Sequence, residues 1–404
     1  MESLAATEGL SQFFSDAAVV QAMLDFEAAL ARAEARTGIV PVDVAAAISN
    51  AAVADGFDIA ELVRLSLRAG TPAIPLVRML TEHVRASDAR AAGFVHWGAT
   101  SQDVTDTALV LLLRRCRDVL SKDHERMMAA LSRLSDEHAG TVMLGRTLLQ
   151  PAPPVTFGLK AAGWLAAIRR GWERVASRFE ESAYVQFGGA SGTLAALGED
   201  GLAVGEALAA DLQLKCPDAP WHGHRDRLAA LMAALCVYTG SVAKMALDLA
   251  LLMQFEVGEV AEAGGDGRGG SSTMPHKKNP TGCMLAIAAA KRTPGLLANF
   301  LNGMAGEQER GLGGWQSEWA TVEGIVQAAG VAAESMAEVV EGLRVNVPRM
   351  RANIDATHGA VFSERTRLAR ARGGSLAELP GLRAPEEYLG CAEGFRRRLL
   401  DGKE

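Results

Sequence analysis

The chain has 404 residues, 49% of them hydrophobic, enough for two or three domains and an ample core. A net charge of −7 gives no sign of nucleic-acid binding. The first ten residues, MESLAATEGL, hold neither a basic segment nor an apolar stretch, so no signal peptide is expected.

The longest uncharged, largely apolar run, 228–243, has 16 residues and includes Thr239, Gly240 and Ser241. A membrane span needs about 20, so a buried bundle helix is expected, with no membrane partner. Cys116, Cys216, Cys236, Cys283 and Cys391 have no metal or redox spacing, which fits reduced thiols in a cytoplasmic protein. Aromatic residues make up only 5% and alanine is abundant, as in closely packed helices. Charge is uneven: residues 344–404 carry 12 Lys+Arg against 8 Asp+Glu, while the rest is acidic. A solvated Arg-rich terminal segment is the plain reading, and docking on an acidic neighbouring subunit is the sharper one.

Ser15 can cap a helix in which Val19, Val20, Met23, Phe26 and Leu30 recur at helical spacing, with Gly38 and Pro41 as its stop. Two shorter helical segments are expected at 42–54 and 59–69, and Pro72 and Pro75 then break the chain. No alternating run is long enough to predict a strand. Residues 96–103, His-Trp-Gly-Ala-Thr-Ser-Gln-Asp, open a helical pattern that runs to His138 and stops at Gly140. At 1.5 Å per residue this is a rod of about 55 Å. Thr100, Ser101 and Gln102 fall at its amino end, where free N–H groups and the helix dipole favour an anion. Simple capping by Ser101 or Asp103 is the alternative.

Residues 145–151, Gly-Arg-Thr-Leu-Leu-Gln-Pro, precede a second long helix at 155–183. The glycines of 186–192 suit close backbone approach to a ligand or to another helix. A third long helix opens at 221–227, Trp-His-Gly-His-Arg-Asp-Arg, and runs to 262. His222 and His224 have no thiolate, third histidine or organised carboxylate beside them in sequence, so no metal site is expected.

Residues 264–282 read GGDGRGGSSTMPHKKNPTG. The glycines, Pro275 and Pro280 argue against a helix, yet apolar helical patterns flank both sides. Loops of this length inside a compact chain are uncommon and are usually functional or disordered; an ordinary surface connection is the bland alternative. Residues 265–270 match G-x-G-x-x-G literally, but they come after a helical pattern and no βαβ unit surrounds them, so a dinucleotide site is a poor reading. Further helices are expected at 281–300, with Pro294 as a potential break, and at 317–345.

The run Gly270-Ser271-Ser272-Thr273-Met274-Pro275-His276-Lys277-Lys278-Asn279-Pro280 resembles the signature loop of the fumarase/aspartase superfamily, G-S-S-x-M-P-x-K-x-N. Residues 96–103 resemble its first active-site region, H-x-G-x-T-S-x-D. The resemblance covers residues 10–345 well and the remainder poorly. It implies an all-α, fumarase/aspartase-like long-helix bundle with small helical terminal domains: 1–95, a central bundle with the catalytic loop at 96–345, and a reduced C-terminal helical segment at 346–404. It also implies a cytoplasmic homotetramer whose shared sites combine segments of three subunits, a small anionic di- or tricarboxylate substrate, and no cofactor or metal.

By the same resemblance, Thr100 and Ser101, with Gln102 beside them, bind a substrate carboxylate. Arg146, Gln150 and Ser272 belong to the substrate-binding set, and Lys277 and Asn279 stabilise developing charge. Ser271 matches the family's catalytic serine. His96 and His276 are second choices for acid–base work, and each can equally be a structural histidine.

Two departures point to a branch. Many lyases of the superfamily carry a histidine where this chain has Leu148, which cannot move a proton. Glu318 and Trp319 stand where adenylosuccinate lyases carry an Arg-Asp pair, and a carboxylate there is expected to repel an anionic nucleotide. The Pro220–Arg227 pattern, P-W-H-x-x-R-D-R, also resembles the cycloisomerase branch. The implied reaction closes a 3-substituted cis,cis-muconate, carboxy or sulfo, to a lactone. The alternatives are an adenylosuccinate-lyase-like β-elimination and a catalytically silent helical scaffold.

Overall fold

The computed structural model describes residues 2–263, 269–270, 273–274, 277–371 and 384–402. These divide into two compact units, each assembled from three chain segments. The first comprises Met1–Val119, Arg174–Cys236 and Arg292–Gln327, and the second Leu120–Glu173, Val237–Lys291 and Ala328–Glu404. The architecture is helical, as expected: α1 Glu8–Ser11, α2 Asp16–Arg36, α3 Val42–Ala51, α4 Ile59–Ala69, α5 Ala73–Ser87, α6 Ser101–Glu137, α7 Phe157–Ser182, α8 Gly201–Leu212, α9 Asp226–Leu252, α10 Thr281–Gly303, α11 Glu318–Glu341, α12 Val347–Asp355, α13 Ser363–Ala371 and α14 Ala392–Asp401. Pro294 sits inside α10 without ending it.

In the first unit the Ser15 hydroxyl accepts the Ala18 N–H at 3.3 Å and starts α2. Val20, Met23, Phe26 and Leu30 point inward into a core shared with α3, α4, α5, the amino-terminal part of α6 and α8. Asp58 caps α4, and Gly70, with φ of 71°, stops it. Pro72 does separate α4 from α5, but Pro75 lies in the first turn of α5. There a missing N–H costs nothing, because that donor has no acceptor within the helix.

The second unit holds the strands. β1 Val142–Thr147 pairs antiparallel with β2 Gln150–Thr156, which corrects the expectation of no strand. Thr147 faces Gln150, so the turn is only Leu148–Leu149, with φ of 52° and 63°. Positive φ at both central residues is what a two-residue hairpin turn demands, and asparagine or glycine normally supplies it. A side chain there costs about 1–2 kcal/mol per residue. A bulge falls between Leu144 and Gly145, where any Cβ would lie 2.5 Å from the Pro153 carbonyl oxygen. Residues of α12 and the turn after it cover the hairpin's base: Val142 and Leu144 pack with Ile354, Val361 and Phe362. In a second pair, β3 Val260–Ala261 with β4 Arg344–Val345, β4 leads directly into α12.

α9 has 27 residues and is, by length and composition, long and apolar enough to cross a membrane, unlike the shorter run read from sequence. Its Tyr238, Val242, Met245 and Leu249 are nevertheless buried. Tyr238 closes an aromatic cluster in which His124 stacks on Trp172 at 4.9 Å between ring centroids. Burial pushes the His124 pKa down to about 4 from 6.5. The unfolded chain therefore takes up a proton near pH 6.5 that the folded one refuses until about pH 4. This contribution to stability is complete above pH 6.5 and is lost as pH falls towards 4. It amounts to about 3 kcal/mol. The stability difference between the wild type and His124→Gln, from denaturant titrations at fixed protein concentration, should change as pH falls from 6.5 to 4, because all other titrating groups cancel in that difference. A difference that stays constant over that range would refute the assignment.

Candidate functional site

In the first unit the site is built on the amino end of α6. The Asp103 carboxylate, fully buried, accepts four donors: the N–H groups of Thr100 (3.0 Å), Gly188 (3.0 Å) and Gly189 (2.9 Å), and Nε2 of His222 (2.6 Å). Asp103 is thus the capping residue. Two of the three glycines of 186–192, Gly188 and Gly189, make close approaches to protein, while Gly192 has open space beside it. A Cβ on Gly188 would sit 2.6 Å from the Pro220 ring, and one on Gly189 would sit 2.7 Å from the Gly98 carbonyl oxygen.

One turn further along α6, Asp106 receives both Nη atoms of Arg225, at 2.7 and 2.8 Å, while Arg225 Nε and Nη2 reach Glu318 at 3.0 and 2.5 Å. All three side chains are buried. Burial opposes the guanidinium's charge, but Asp106 and Glu318 outweigh it and raise its pKa. Glu318 is therefore a compensated, inward charge. Contrary to expectation, its carboxylate is not free to repel a nucleotide. Sequence reading missed this triad, although a signal was there: Asp103 and Asp106 at i, i+3 on α6 answer His222 and Arg225 at the same spacing.

Gln102 is also fully buried; its amide donates to Asp106 Oδ2 and to the His222 carbonyl, both at 3.1 Å. The structure turns it inward, as a brace, where a substrate contact was expected. Thr100 keeps its hydroxyl at the surface of this cluster and accepts Arg310 Nη1 at 3.0 Å. Arg310 Nη2 also donates to the carbonyls of Gly189 and Ala190. Ser101 is half-buried at the first position of α6.

His96 adopts a left-handed φ of 60°, and its Nδ1 lies 2.7 Å from the buried Glu27 carboxylate. Burial works against protonation, but the charge and hydrogen bond of Glu27, with help from Asp103, prevail and raise the imidazole's pKa. Glu34, on the same helix as Glu27, has no hydrogen-bond partner among the described residues; burial and the Glu27 charge push it up to about 9, so it is neutral at pH 7.

In the second unit Arg146 and Gln150 flank the hairpin turn. The Arg146 fork is already filled: Nη1 and Nη2 donate to Glu259 at 2.9 and 2.7 Å. Gln150 is exposed, and Leu148 and Leu149 at the tip are 96% and 71% exposed. Ser271, Ser272 and His276 lie outside the described residues. Lys277 is exposed, and its N–H donates to the Met274 carbonyl. Asn279 donates from its backbone to Gly269 at 2.8 Å and from its side chain to Gly270 at 3.2 Å. The carboxylate of Glu262 accepts the N–H groups of Gly282 (3.1 Å) and Cys283 (3.0 Å) in the first turn of α10. Among the described residues no group of three or more His, Cys, Asp or Glu is arranged to hold a metal ion.

Chemically, the described parts offer a hydroxyl-bearing helix amino end beside a histidine held towards its charged form, and a loop carrying an exposed ammonium. These suit an anionic substrate.

A family profile described as lyase matches residues 2–295. The 3-carboxy-cis,cis-muconate cycloisomerase of Bradyrhizobium diazoefficiens is 46% identical over 356 residues, 88% of this chain and 79% of the relative. The nitrosuccinate lyase of Streptomyces davaonensis is 39% identical, covering 96% of this chain and 92% of the relative. The crystal structure of 3-carboxy-cis,cis-muconate lactonizing enzyme from Pseudomonas putida superposes with a TM-score of 0.93 at 39% identity, covering 100% of this chain and 99% of that one. The chain belongs to the lyase family, with the helical fold of the fumarase/aspartase superfamily.

Proposed function

We propose that the protein is a cycloisomerase that closes a 3-substituted cis,cis-muconate, carboxy or sulfo, to a muconolactone. The observation that carries this is the 46% identity to a relative named as that cycloisomerase, over a span that includes most of the chain. Leu148 supports it, since the tip of the hairpin lacks the histidine of ordinary lyases.

In this reaction one carboxylate of the substrate adds to its own double bond. The nucleophile is internal, so its effective concentration is built into the substrate. The protein holds a multiply anionic molecule, stabilises the carbanion as an aci-carboxylate, and delivers a proton to carbon. Thr100 and Ser101 suit the first task. Lys277 and Asn279, with loop N–H groups, suit the second. Ser271 is the proposed proton-transfer group, because an N–H-rich, cationic loop favours its alkoxide. His96, held towards its charged form by Glu27, is the alternative donor.

A cytoplasmic homotetramer with shared sites is part of the same proposal. Exposed Leu148, Val237, Leu247, Phe255 and Met284 support it as apolar surface available for contact between protomers. Five free cysteines fit a reducing compartment.

The test is a substrate panel after exhaustive chelation: 3-carboxymuconate, 3-sulfomuconate, nitrosuccinate, adenylosuccinate, argininosuccinate and fumarate. Loss of diene absorbance with a lactone product is the expected result. Inactivity on both muconates with robust cleavage of any of the others would replace this reading by a β-elimination lyase.

A further inference from the structure

Asn346, which caps α12, and Arg349 and Asn353 on one face of α12 grip the chain just ahead of β3. Asn346 Nδ2 donates to the Gly258 carbonyl (3.3 Å), Arg349 to those of Val257 (3.0 Å) and Glu256 (2.6 Å), and Asn353 to that of Val257 (2.9 Å). Their spacing of three and four residues places them on one side of a helix. Asn353 Nδ2 also donates to Glu259 Oε1 at 2.7 Å. Glu259 is fully buried, and its carboxylate is the one that fills the Arg146 fork. Arg146 is the second residue before the strained Leu148–Leu149 turn. Three residues after Glu259, the Glu262 carboxylate caps the helix that leaves the glycine-rich loop.

We propose that Glu259 and Asn353 are positioning residues for the reaction: α12 sets Glu259, and Glu259 sets the hairpin tip through Arg146. The inference rests on the reading that the hairpin serves the catalytic site. It gives the carboxyl-terminal helices a task in catalysis although none of their residues is placed at the substrate. A turn held at unfavourable φ relaxes unless its surroundings over-determine it. The hydrophobic contacts under β1 secure the base of the hairpin. The only charged grip described nearer the tip is Arg146 on Glu259. A buried bidentate ion pair fixes direction as well as distance, and the Asn353 amide adds a second donor to Oε1 of Glu259, so rotation of the carboxylate would break that bond as well.

The experiment compares Asn353→Asp, Asn353→Ala and Glu259→Gln with Arg351→Ala. Arg351 lies on the same helix but pairs at the surface with Glu386. Hydrogen exchange of the 142–156 peptide and chymotryptic cutting after Leu148 or Leu149 report the hairpin without reference to activity. In Asn353→Asp and Glu259→Gln both should accelerate about tenfold. kcat on the muconate should fall about 10- to 100-fold, with KM changed far less and with assembly and overall melting retained. Arg351→Ala should match the wild type in every readout. Asn353→Ala, which adds no repulsion, keeps the test open if the aspartate variant fails to fold. Unchanged hairpin exchange in the folded variants would overturn the proposal, as would accelerated exchange with kcat within twofold of wild type. Accelerated exchange in the variants, with the wild type itself inactive on both muconates, would instead overturn the cycloisomerase reading and leave the grip on the hairpin standing.

Discussion

Replacing Ser271 with alanine is expected to lower kcat by about 100-fold or more, the usual loss when a positioned acid or base is removed. KM should change little, because the groups assigned to substrate carboxylates lie elsewhere, at Thr100 and Ser101. Folding should be unaffected. The loop's described anchors are backbone and carboxylate contacts, Asn279 to Gly269 and Glu262 to the first turn of α10, and none uses a serine hydroxyl. Steady-state kinetics on the muconate, with a melting curve as control, decides it. A kcat within threefold of wild type would transfer the proton-delivery role to another group, with His96 first in line.

The largest stability effect is expected at Arg225. Replacing it with methionine leaves Asp106 and Glu318 facing each other, buried and without their shared cation. Breaking a buried ion pair by removing one partner costs about 3–5 kcal/mol. That is a large part of the total stability of a typical domain, about 5–15 kcal/mol. The triple variant Asp106→Asn, Arg225→Met, Glu318→Gln removes the stranded charges and should recover most of the loss. Chemical denaturation of the three proteins measures it. A loss below about 1 kcal/mol in Arg225→Met would mean that water reaches the triad and compensates it.

Much of the helical plan was legible from local rules. Ser15 and Gly38 mark the two ends of α2 through capping and left-handed geometry, which depend on a few neighbouring residues. The long helices could be read because their apolar periodicity extends over many turns. The hairpin could not. Its turn is Leu148–Leu149 where the recognisable signal is Asn-Gly, and three prolines interrupt β2, which ordinarily demotes a strand. Its stabilising contacts come from some 200 residues on in sequence, from Ile354, Val361 and Phe362, beyond the reach of any local pattern. The site was legible where short motifs carry it and illegible where charges pair across the chain. The T-S-x-D motif located the amino end of α6. It did not reveal that Gln102 points inward or that Asp103 binds His222. The reading of Glu318 failed for the same reason: its partner, Arg225, lies 93 residues away in sequence.

The prolines of β2 have one more effect. A two-stranded ribbon has two open edges, and an open edge is a template on which another chain's strand can add. Three of the seven residues of β2, Pro151, Pro153 and Pro154, have no N–H to offer on either side. An incoming strand would find gaps along that edge where its carbonyls need donors. The ribbon can therefore present an exposed, apolar tip without inviting its own copies to extend it into a growing sheet.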